Sequence, residues 1–389
     1  METQTDTGFA TLGVPSDLVD VLRARGIERP FPIQSLTIPD ALAGRDVCGK
    51  AKTGSGKTLA FGLPVLTNLP KAEPCKPTAL ALVPTRELAV QVCEELDPLA
   101  RAVGRRVTAI YGGARIEGQR KELQDGADFV VATPGRLIDL LQQGDLTIDS
   151  VNVVIVDEAD RMADMGFLPQ VEWILRHISG GHQTLLFSAT LDGVVDSLIK
   201  RYQRDPVMHE VQSESVTVDE MVHHFFKVHQ MDKTKVAAAI ARNVGRTMMF
   251  TRTKFGADRL ARDLKAEGIH AAAIHGDLRQ NHREAALADF SQGKLPVLVA
   301  TDVAARGLHI DEVDVVIHFD PPEDHKNYLH RSGRTARAGE SGIVVTLVLW
   351  DQELEIKRLL KRVGIDQPLV ELFSNDLRLT DLAAWDPTI

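Results

Sequence analysis

The chain has 389 residues, more than one compact core usually holds, and this length predicts two or three domains. Hydrophobic residues make up 44% of the chain and charged residues 25%, as is ordinary for a globular protein. No apolar run approaches the roughly 18 residues of a membrane span, and no signal-peptide pattern opens the chain. We therefore expect a cytoplasmic protein without a membrane contact. The net charge of −9 argues against a protein that coats nucleic acid by bulk attraction, although it leaves room for a local basic groove.

The first half of the chain alternates apolar runs with helical patterns. These runs are continuously apolar, which is typical of strands in a parallel sheet that is covered on both faces. We predict such strands at 79–83, 106–111, 129–132, 153–156 and 184–187, with one more short strand before residue 51. A three-to-four spacing of apolar residues predicts helices between them, as at 59–66 and 86–99.

A polar stretch without periodicity at 212–220 separates the two halves, and we place a linker at 212–219. The alternation restarts after it. Strands are predicted at 248–251, 271–274, 297–300, 315–318 and 343–348, and helices at 233–244, 256–268 and 283–292. We therefore predict an α/β protein of two tandem parallel-sheet domains that face each other across a cleft.

The strongest local motif is AKTGSGKT at 51–58, after a short strand and before an apolar helix. Its glycines allow the backbone N–H groups to face a triphosphate, Lys57 can reach the terminal phosphates, and the Thr58 hydroxyl can hold Mg²⁺. A flexible turn before a helix is the alternative, but a turn does not need Gly-Lys-Thr at the helix start. The predicted nucleotide-binding residues are Ala51, Lys52, Thr53, Gly54, Ser55, Gly56, Lys57 and Thr58.

A second motif, VVIVDEAD, follows at 153–160. An acidic residue at the end of a buried strand suits a Mg²⁺ ligand, and Asp157 fits that role. Glu158 is positioned to orient or deprotonate the attacking water. A solvated acidic loop that caps the next helix is the alternative, and the phosphate loop upstream makes it the weaker one.

DEAD at 157–160 is the motif that names the DEAD-box RNA helicases, and the chain resembles the bacterial type of this family. Phe9 upstream of GIERPFPIQ (26–34) looks like the family's adenine-recognition segment. The resemblance implies that the aromatic ring packs on the base and that Gln34 hydrogen-bonds its edge, as a side-chain amide can. It also implies two RecA-like domains, which we place at 38–211 and 220–367, with the adenine-recognition segment at 1–37 and a tail at 368–389.

Further motifs appear in the family's order: PTREL, a Gly-Gly pair, TPGR, SAT, FTRTK, QNHR, ATDVAARGL and HRSGRTAR. Most are weak alone, and their collective order carries the resemblance. It assigns RNA contacts to Pro84, Thr85, Arg86, Gly113, Thr133, Pro134, Gly135, Arg136, Arg252, Gln280, Arg283 and Thr301. It assigns coupling between the domains to Asp160, Ser188, Thr190, Asp302, His330 and Arg331.

The resemblance also makes Arg334 and Arg337 arginine fingers from the second domain, because a planar guanidinium spreads charge over phosphoryl oxygens. A basic face bound to acidic neighbours is the alternative for this run. Two departures from the family stand near the nucleotide. Lys50 and Lys52 replace the usual glutamines and are expected to add positive charge near the nucleotide. The ARG motif continues through Gly307, a predicted nucleotide-binding residue, and Leu308 to His309; relatives carry there an aspartate that the resemblance implies contacts the ribose, so this contact is expected to be altered.

The resemblance implies an ATP-dependent RNA helicase that uses ATP and Mg²⁺ as a monomer, contacts RNA mainly along its sugar–phosphate backbone and has little sequence preference. An ATP-gated RNA clamp or annealing scaffold is one alternative, because the same motifs serve both. A DNA-directed helicase is another, which the adenine-recognition segment and DEAD disfavour.

Overall fold

The structure is a computed structural model that describes residues 8–51, 54–191, 193–211, 221–305, 310, 313–335 and 342–382. The chain divides into two compact units, Met1–Ser213 and Glu214–Ile389. The predicted linker at 212–219 lies outside the described residues. Among the helices that are described, none is both long and apolar enough to cross a membrane.

The first unit is built on a seven-stranded parallel sheet. Its strands are β1 (Val47–Lys50), β2 (Ala79–Leu82), β3 (Val107–Ile110), β4 (Phe129–Ala132), β5 (Val153–Asp157), β6 (Gln183–Ser188) and β7 (Val207–Glu210). They lie in the order β3-β4-β2-β5-β6-β1-β7. β2, β4 and most of β5 are buried, because both faces of the sheet are covered by helices and the continuous apolar runs fill two cores.

Nine α-helices are described in this unit, two of them before β1. They are α1 (Ser16–Ala24), α2 (Pro32–Leu42), α3 (Lys57–Asn68), α4 (Arg86–Ala102), α5 (Ile116–Gln124), α6 (Pro134–Gln143), α7 (Ala159–Asp164), α8 (Leu168–His177) and α9 (Val194–Tyr202). A short 3₁₀ helix, Phe9–Leu12, precedes α1. The predicted boundary between residues 37 and 38 falls inside α2 and is wrong, because α2 packs against α3 and β1 as part of the first unit.

The second unit repeats the topology of the first. Its strands are β8 (Met221–Lys227), β9 (Thr247–Thr251), β10 (Ala271–Ile274), β11 (Val297–Thr301), β12 (Val315–His318), β13 (Gly342–Val348) and β14 (Leu369–Glu371). Its strand order, β10-β11-β9-β12-β13-β8-β14, is the order of the first unit with seven added to each strand number. Every pairing in this sheet is parallel. The predicted fold class, tandem parallel α/β units, is confirmed.

The helices of the second unit are α10 (Lys233–Asn243), α11 (Lys254–Ala266), α12 (Gln280–Ser291), α13 (Asp302–Ala305), α14 (His325–Ser332) and α15 (Glu353–Val363). The predicted tail at 368–389 is wrong in its described part, because β14 pairs with β8 and the side chains of Leu372, Leu379 and Leu382 are buried in the core of this unit. Residues 383–389 lie outside the described part.

Parallel strands place all their carboxyl ends at one edge of a sheet, and ligands of open α/β sheets bind outside that edge. The motifs singled out in the sequence follow the carboxyl ends of β1, β2, β3, β4, β5 and β6 in the first unit and of β9, β10, β11 and β12 in the second. Each unit therefore concentrates its candidate functional residues at one edge.

Candidate active site

The phosphate loop runs from the end of β1 into the start of α3. Gly54 and Gly56 both have φ of +81°, in the left-handed region that favours glycine. Lys57 is buried, with 7% of its surface exposed, and its Nζ donates to the Ala51 carbonyl at 3.3 Å. Lys52 and Thr53 lie outside the described residues.

Gln34 ties the segment before the first sheet to this loop. Its Oε1 accepts from the Phe31 backbone N–H at 2.8 Å, and its Nε2 donates to the Gly56 carbonyl at 2.8 Å. The side chain is fully buried. The geometry therefore gives Gln34 a contact to the phosphate loop, and its hydrogen bond to adenine stays a prediction.

Phe9 is a core residue. Phe9 is 2% exposed and packs in the same cluster as Leu18, Leu22 and Ile33. Because its ring offers no free face to a base, the predicted stacking of Phe9 on adenine is not compatible with this packing. Phe31 is the exposed aromatic residue at this place, with 54% of its surface accessible. Its ring lies against Gly56. Phe31 was not among the predicted site residues, although its place in GIERPFPIQ, three residues before Gln34, was an available signal.

Gly56→Ala should weaken ATP binding by about tenfold or more. The new Cβ would lie 2.4 Å from Gln34 Nε2 and 2.7 Å from Phe31 Cδ2. A left-handed residue with a side chain also costs about 1–2 kcal/mol, and 1.4 kcal/mol is a factor of about ten in affinity. Titration with a fluorescent ATP analogue measures the loss. Gly118→Ala on α5, where a Cβ meets nothing within 4 Å, is the control and should bind as the unaltered chain does; equal binding by Gly56→Ala would contradict the assigned loop geometry.

Lys50 departs from the family pattern, but its positive charge is paired with an acidic side chain. Lys50 Nζ pairs with Glu210 Oε1 at 2.6 Å, across the pairing of β1 with β7. The expectation that this lysine adds positive charge near the nucleotide is therefore wrong, because a carboxylate on the neighbouring strand neutralises it.

Asp157 and Glu158 stand at the carboxyl end of β5. Burial raises the pKa of Asp157 to about 7; the nearby Lys57 charge acts in the opposite direction, and Glu158 adds to the rise. Asp157 Oδ1 accepts from the Glu158 backbone N–H at 2.9 Å. The phosphate-loop lysine and this carboxylate thus lie close enough to act on each other, and a cation bound between them and a phosphate would favour the ionised form of Asp157.

Glu158 has φ of +52°, a left-handed conformation that is uncommon outside glycine and often found at functional sites. Its carboxylate forms a hydrogen-bonded ion pair with Arg161, and both side chains are largely buried. Arg161 was not among the predicted site residues. Its spacing of three residues from Glu158 at the start of α7 was the available signal, because residues three apart face each other on a helix.

Asp160 joins β5 to the SAT motif after β6. The Asp160 backbone N–H donates to Ser188 Oγ at 3.2 Å, and Asp160 Oδ2 accepts from the Thr190 backbone N–H at 3.2 Å. The structure thus brings together all three of these predicted coupling residues within the first unit.

The predicted RNA contacts of the first unit follow β2, β3 and β4, which are neighbours in the sheet. Thr85 caps α4 by accepting from Leu88 N–H at 3.3 Å, and the Arg86 guanidinium lies so close to Gly113 that a Cβ there would be 2.1 Å from it. Arg136 donates to Gln119 Oε1 at 3.3 Å. The remaining members of the set are at the same edge: Pro84 after β2, and Thr133, Pro134 and Gly135 at the start of α6.

The predicted RNA contacts of the second unit also share an edge. Arg252 follows β9 and its backbone N–H donates to Asp320 Oδ2 at 2.9 Å. Thr301 ends β11, and Gln280 and Arg283 lie on α12 after β10. Since β10, β11 and β9 are adjacent, the sheet order brings these four residues to one side of the unit.

Arg331 is held inside the second unit. Its Nε and Nη2 donate to the two carboxylate oxygens of Asp302 at 2.5 and 2.7 Å, and its Nη1 donates to the Asp320 carbonyl at 2.7 Å. The guanidinium also lies over the Phe250 ring, 5.1 Å from the centroid, and the side chain is 3% exposed. These contacts attach α14 to the sheet. All of these contacts lie within one unit, and the predicted role of Arg331 and Asp302 in coupling the domains stays a prediction.

α14 carries His330 near its end and Arg334 just after it. His330 is exposed and Arg334 is partly buried, with the Arg334 carbonyl accepting from Val313 N–H at 3.1 Å. Arg337, Gly307 and His309 lie outside the described residues, so their predicted roles stay predictions.

Tyr328 fastens the middle of α14 to the sheet. Its hydroxyl hydrogen-bonds to His223 Nδ1 at 2.7 Å, and its ring meets the His318 ring edge-on with centroids 4.9 Å apart. Burial raises the pKa of Tyr328 and lowers the pKa of His318, so both stay neutral at physiological pH. Tyr328 was not among the predicted site residues; its place three residues before Arg331, on the same helical face, was the available signal.

Tyr328→Phe should destabilise the second unit by about 0.5–1.5 kcal/mol, because it removes the buried hydrogen bond between the Tyr328 hydroxyl and His223. Urea unfolding of the full chain measures the change. Tyr202→Phe is the matched control, since its hydroxyl accepts only from the exposed Arg176 in the hydrogen bonds described, and it should change stability by less than about 0.5 kcal/mol. Equal stabilities of the two variants would show that Tyr328 contributes only its ring.

Two family models match the chain. The model described as DEAD/DEAH box helicase matches residues 31–198, and the model described as Helicase conserved C-terminal domain matches residues 229–339. The two matches fall in the first and second units respectively.

Curated relatives match most of the chain. The DEAD-box ATP-dependent RNA helicase CshA of Geobacillus kaustophilus is 40% identical over 344 residues, which are 88% of this chain and 73% of the relative. The ATP-dependent RNA helicase RhlB of Xanthomonas axonopodis is 41% identical over 353 residues, which are 88% of this chain and 62% of the relative.

Solved structures match over nearly the whole length. S. cerevisiae Dbp5 bound to RNA and ADP BeF3 superposes with a TM-score of 0.83 at 28% identity, covering 96% of this chain and 97% of that one. A DEAD box protein from the hyperthermophile Methanococcus jannaschii has a TM-score of 0.52 at 32% identity, covering 94% of this chain and 99% of that one.

Proposed function

The chain belongs to the DEAD-box family of ATP-dependent RNA helicases, and we propose that it hydrolyses ATP at a site completed by both units in order to grip, locally unwind and release RNA. One observation carries the placement of ATP. The phosphate loop follows β1 and the DEAD residues 157–160 begin at the end of β5; both strands pair with β6, so the two motifs meet at one edge of the first sheet. Phosphoryl transfer needs both elements on the same ligand.

We infer that Thr58 and Asp157 hold the Mg²⁺ that accompanies ATP. Mg²⁺ usually takes one or two protein oxygens together with substrate phosphates. The described residues contain no group of three or more His, Cys, Asp or Glu side chains that would form a cage, which agrees with a site that substrate phosphates complete. The Thr58 hydroxyl at the start of α3 and the Asp157 carboxylate at the end of β5 supply oxygen ligands, which this ion prefers. When bound, it neutralises charge on the phosphates.

Glu158 is the group that orients the attacking water and takes its proton. Arg161 supports this role as a positioning residue, since its guanidinium holds the carboxylate in one place. Phe31, exposed beside Gly56, is the aromatic surface that the described residues offer near the nucleotide loop.

Arg334, and Arg337 beyond the described residues, are the groups that stabilise negative charge on the γ-phosphate. They come from the second unit, so hydrolysis requires the two units to approach across a cleft. Tyr328 and Arg331 set the position of α14, and therefore of Arg334, before that approach. The chain supplies the loop and the arginines itself, which supports action as a monomer.

RNA is proposed to run along the carboxyl edge of each sheet. Backbone N–H groups, helix starts and arginines at these edges suit phosphate and sugar contacts, which position a strand without reading its sequence. The residues that support this are those after β2, β3 and β4 in the first unit and those after β9, β10 and β11 in the second.

Displacement of one strand from a short RNA duplex tests this function against an ATP-gated clamp. We expect strand release that requires ATP and is absent from the Lys57→Ala variant, because that variant loses the cation that faces the phosphates. Robust ATP hydrolysis without strand release would favour the clamp. Stimulation of hydrolysis by DNA and none by RNA would overturn the RNA assignment.

A further inference from the structure

Lys233 is a buried lysine that lies outside the ATP and RNA residues assigned above. It is the first residue of α10, and its side chain is 3% exposed. Burial lowers the pKa of Lys233, and the nearby Asp320 charge acts in the opposite direction. Because a cation taken out of water costs free energy unless it is paired, the surroundings of Lys233 must compensate its charge.

The start of a helix is an unfavourable place for a lysine. The first N–H groups of a helix carry partial positive charge, which disfavours a cation in the first turn. Asp232, the residue before α10, makes no cap hydrogen bond with its side chain. Its carboxylate accepts instead from the backbone N–H and the hydroxyl of Ser374, at 2.7 and 2.8 Å. The position of Lys233 is therefore decided by tertiary contacts.

These contacts come from the loop that follows β12. Lys233 Nζ donates to Asp320 Oδ1 at 3.4 Å and lies 4.6 Å from the centroid of the Phe319 ring. The attraction of a cation to a carboxylate and to an aromatic face is stronger where water is excluded. Lys233 therefore holds this loop, and the Asp320 carboxylate in particular, in one position.

Asp320 joins three parts of the second unit. Its Oδ2 accepts from the Arg252 backbone N–H at 2.9 Å, and its own N–H donates to the Phe250 carbonyl at 3.0 Å. Its carbonyl accepts from Arg331 Nη1 at 2.7 Å. The loop after β9 and α14 thus meet at this one residue. The Asp320 side chain is 29% exposed, so its carboxylate can turn toward water when the Lys233 charge is removed.

We propose that Lys233 is a positioning residue for RNA-stimulated ATP hydrolysis, which holds the Arg252 backbone and α14 in place through Asp320. The proposal rests on the proposed function, in which Arg252 contacts RNA and α14 leads to Arg334. A simple anchor of α10 on the sheet is the other interpretation. A buried ion pair is weak evidence for stability, and α10 is already held by the buried side chains of its apolar face.

Hydrogen–deuterium exchange of the full chain without ligands, read by mass spectrometry, tests the positioning. Lys233→Met keeps an apolar stem but removes the charge. We expect exchange of the Arg252 amide to accelerate at least about fivefold, because its acceptor is no longer held, while exchange along α10 stays as in the unaltered chain. Lys235→Met, at an exposed lysine of the same helix, should change neither. Unchanged exchange at Arg252, or faster exchange throughout α10, would overturn the proposal.

RNA-stimulated ATP hydrolysis measures the consequence. Lys233→Met should raise the RNA concentration for half-maximal stimulation at least about fivefold and lower kcat. The Kd for a fluorescent ATP analogue should not change, because the phosphate loop lies in the first unit. An unchanged RNA dependence would overturn the proposal. If RNA did not stimulate even the unaltered chain, the proposed function would fail, and the exchange experiment would still decide the positioning.

A double-mutant cycle with Asp320→Asn shows whether Lys233 acts through Asp320. The Kd for a labelled single-stranded RNA is measured for both single variants and for the double variant. We expect Lys233→Met to weaken RNA binding less when Asp320 is already asparagine, because the effects of residues in contact are not additive. Losses that multiply, as for independent sites, would show that Lys233 acts by another route and would overturn the proposal.

Discussion

Glu158→Gln is expected to lower kcat for ATP hydrolysis by at least about 10²-fold while the chain still binds ATP and RNA, because general base catalysis contributes roughly 10²–10⁴. The amide keeps the shape of the carboxylate and still accepts from Arg161, so the start of α7 keeps its structure. Binding is measured with a fluorescent ATP analogue and a labelled RNA, and turnover by phosphate release.

Glu172→Gln is the matched control for this variant. Glu172 pairs on the surface with Arg176 and Arg201, away from the DEAD residues, and its substitution should leave kcat unchanged. Turnover of Glu158→Gln at the level of this control would remove Glu158 from the catalytic step.

Arg334→Ala is expected to reduce RNA-stimulated ATP hydrolysis by about 10³-fold or more, within the range of roughly 10³–10⁵ known for arginine fingers. ATP binding should be spared, because the phosphate loop that binds the nucleotide lies wholly in the first unit. A split of this kind, with kcat lost and affinity kept, separates a group that acts in the transition state from one that binds the ground state.

Arg259→Ala controls for the loss of a positive charge in the second unit. Arg259 lies on α11, and 66% of its side chain is exposed. Its Nε lies 3.6 Å from Asp263 Oδ2. This variant should hydrolyse ATP as the unaltered chain does. If Arg334→Ala did the same, the proposal that the second unit completes the ATP site would fail.

The sequence predicted the central strands well because burial on both faces leaves a continuous apolar run. β4 and β12, which have neighbours on both sides in their sheets, have the predicted bounds. β8 was missed, since His223 and His224 interrupt its apolar run; the structure buries both, with His224 Nε2 bonded to the Leu382 carbonyl at 2.9 Å. β14 was assigned to a tail because three residues are too few to show a period. Only pairing with β8 makes them a strand.

Site residues were predictable where a motif requires a particular backbone, and less so where a tertiary contact decides. The phosphate loop and the DEAD residues follow from glycine placement and from a carboxylate at a strand end. The burial of Phe9 and the exposure of Phe31 depend on how the first helices pack on the sheet, which spacing does not reveal. Likewise, only the fold shows that the Arg331 guanidinium donates to the Asp302 carboxylate.

We propose that ATP and RNA bind cooperatively, because both depend on the same approach of the two units. The direct measurement is the Kd for a labelled single-stranded RNA without nucleotide and with ADP–beryllium fluoride, together with the Kd for nucleotide with and without RNA. We predict that each ligand tightens the other by the same factor, about 5–150-fold, since coupling between two sites is reciprocal. An RNA Kd that does not change with nucleotide would contradict the account.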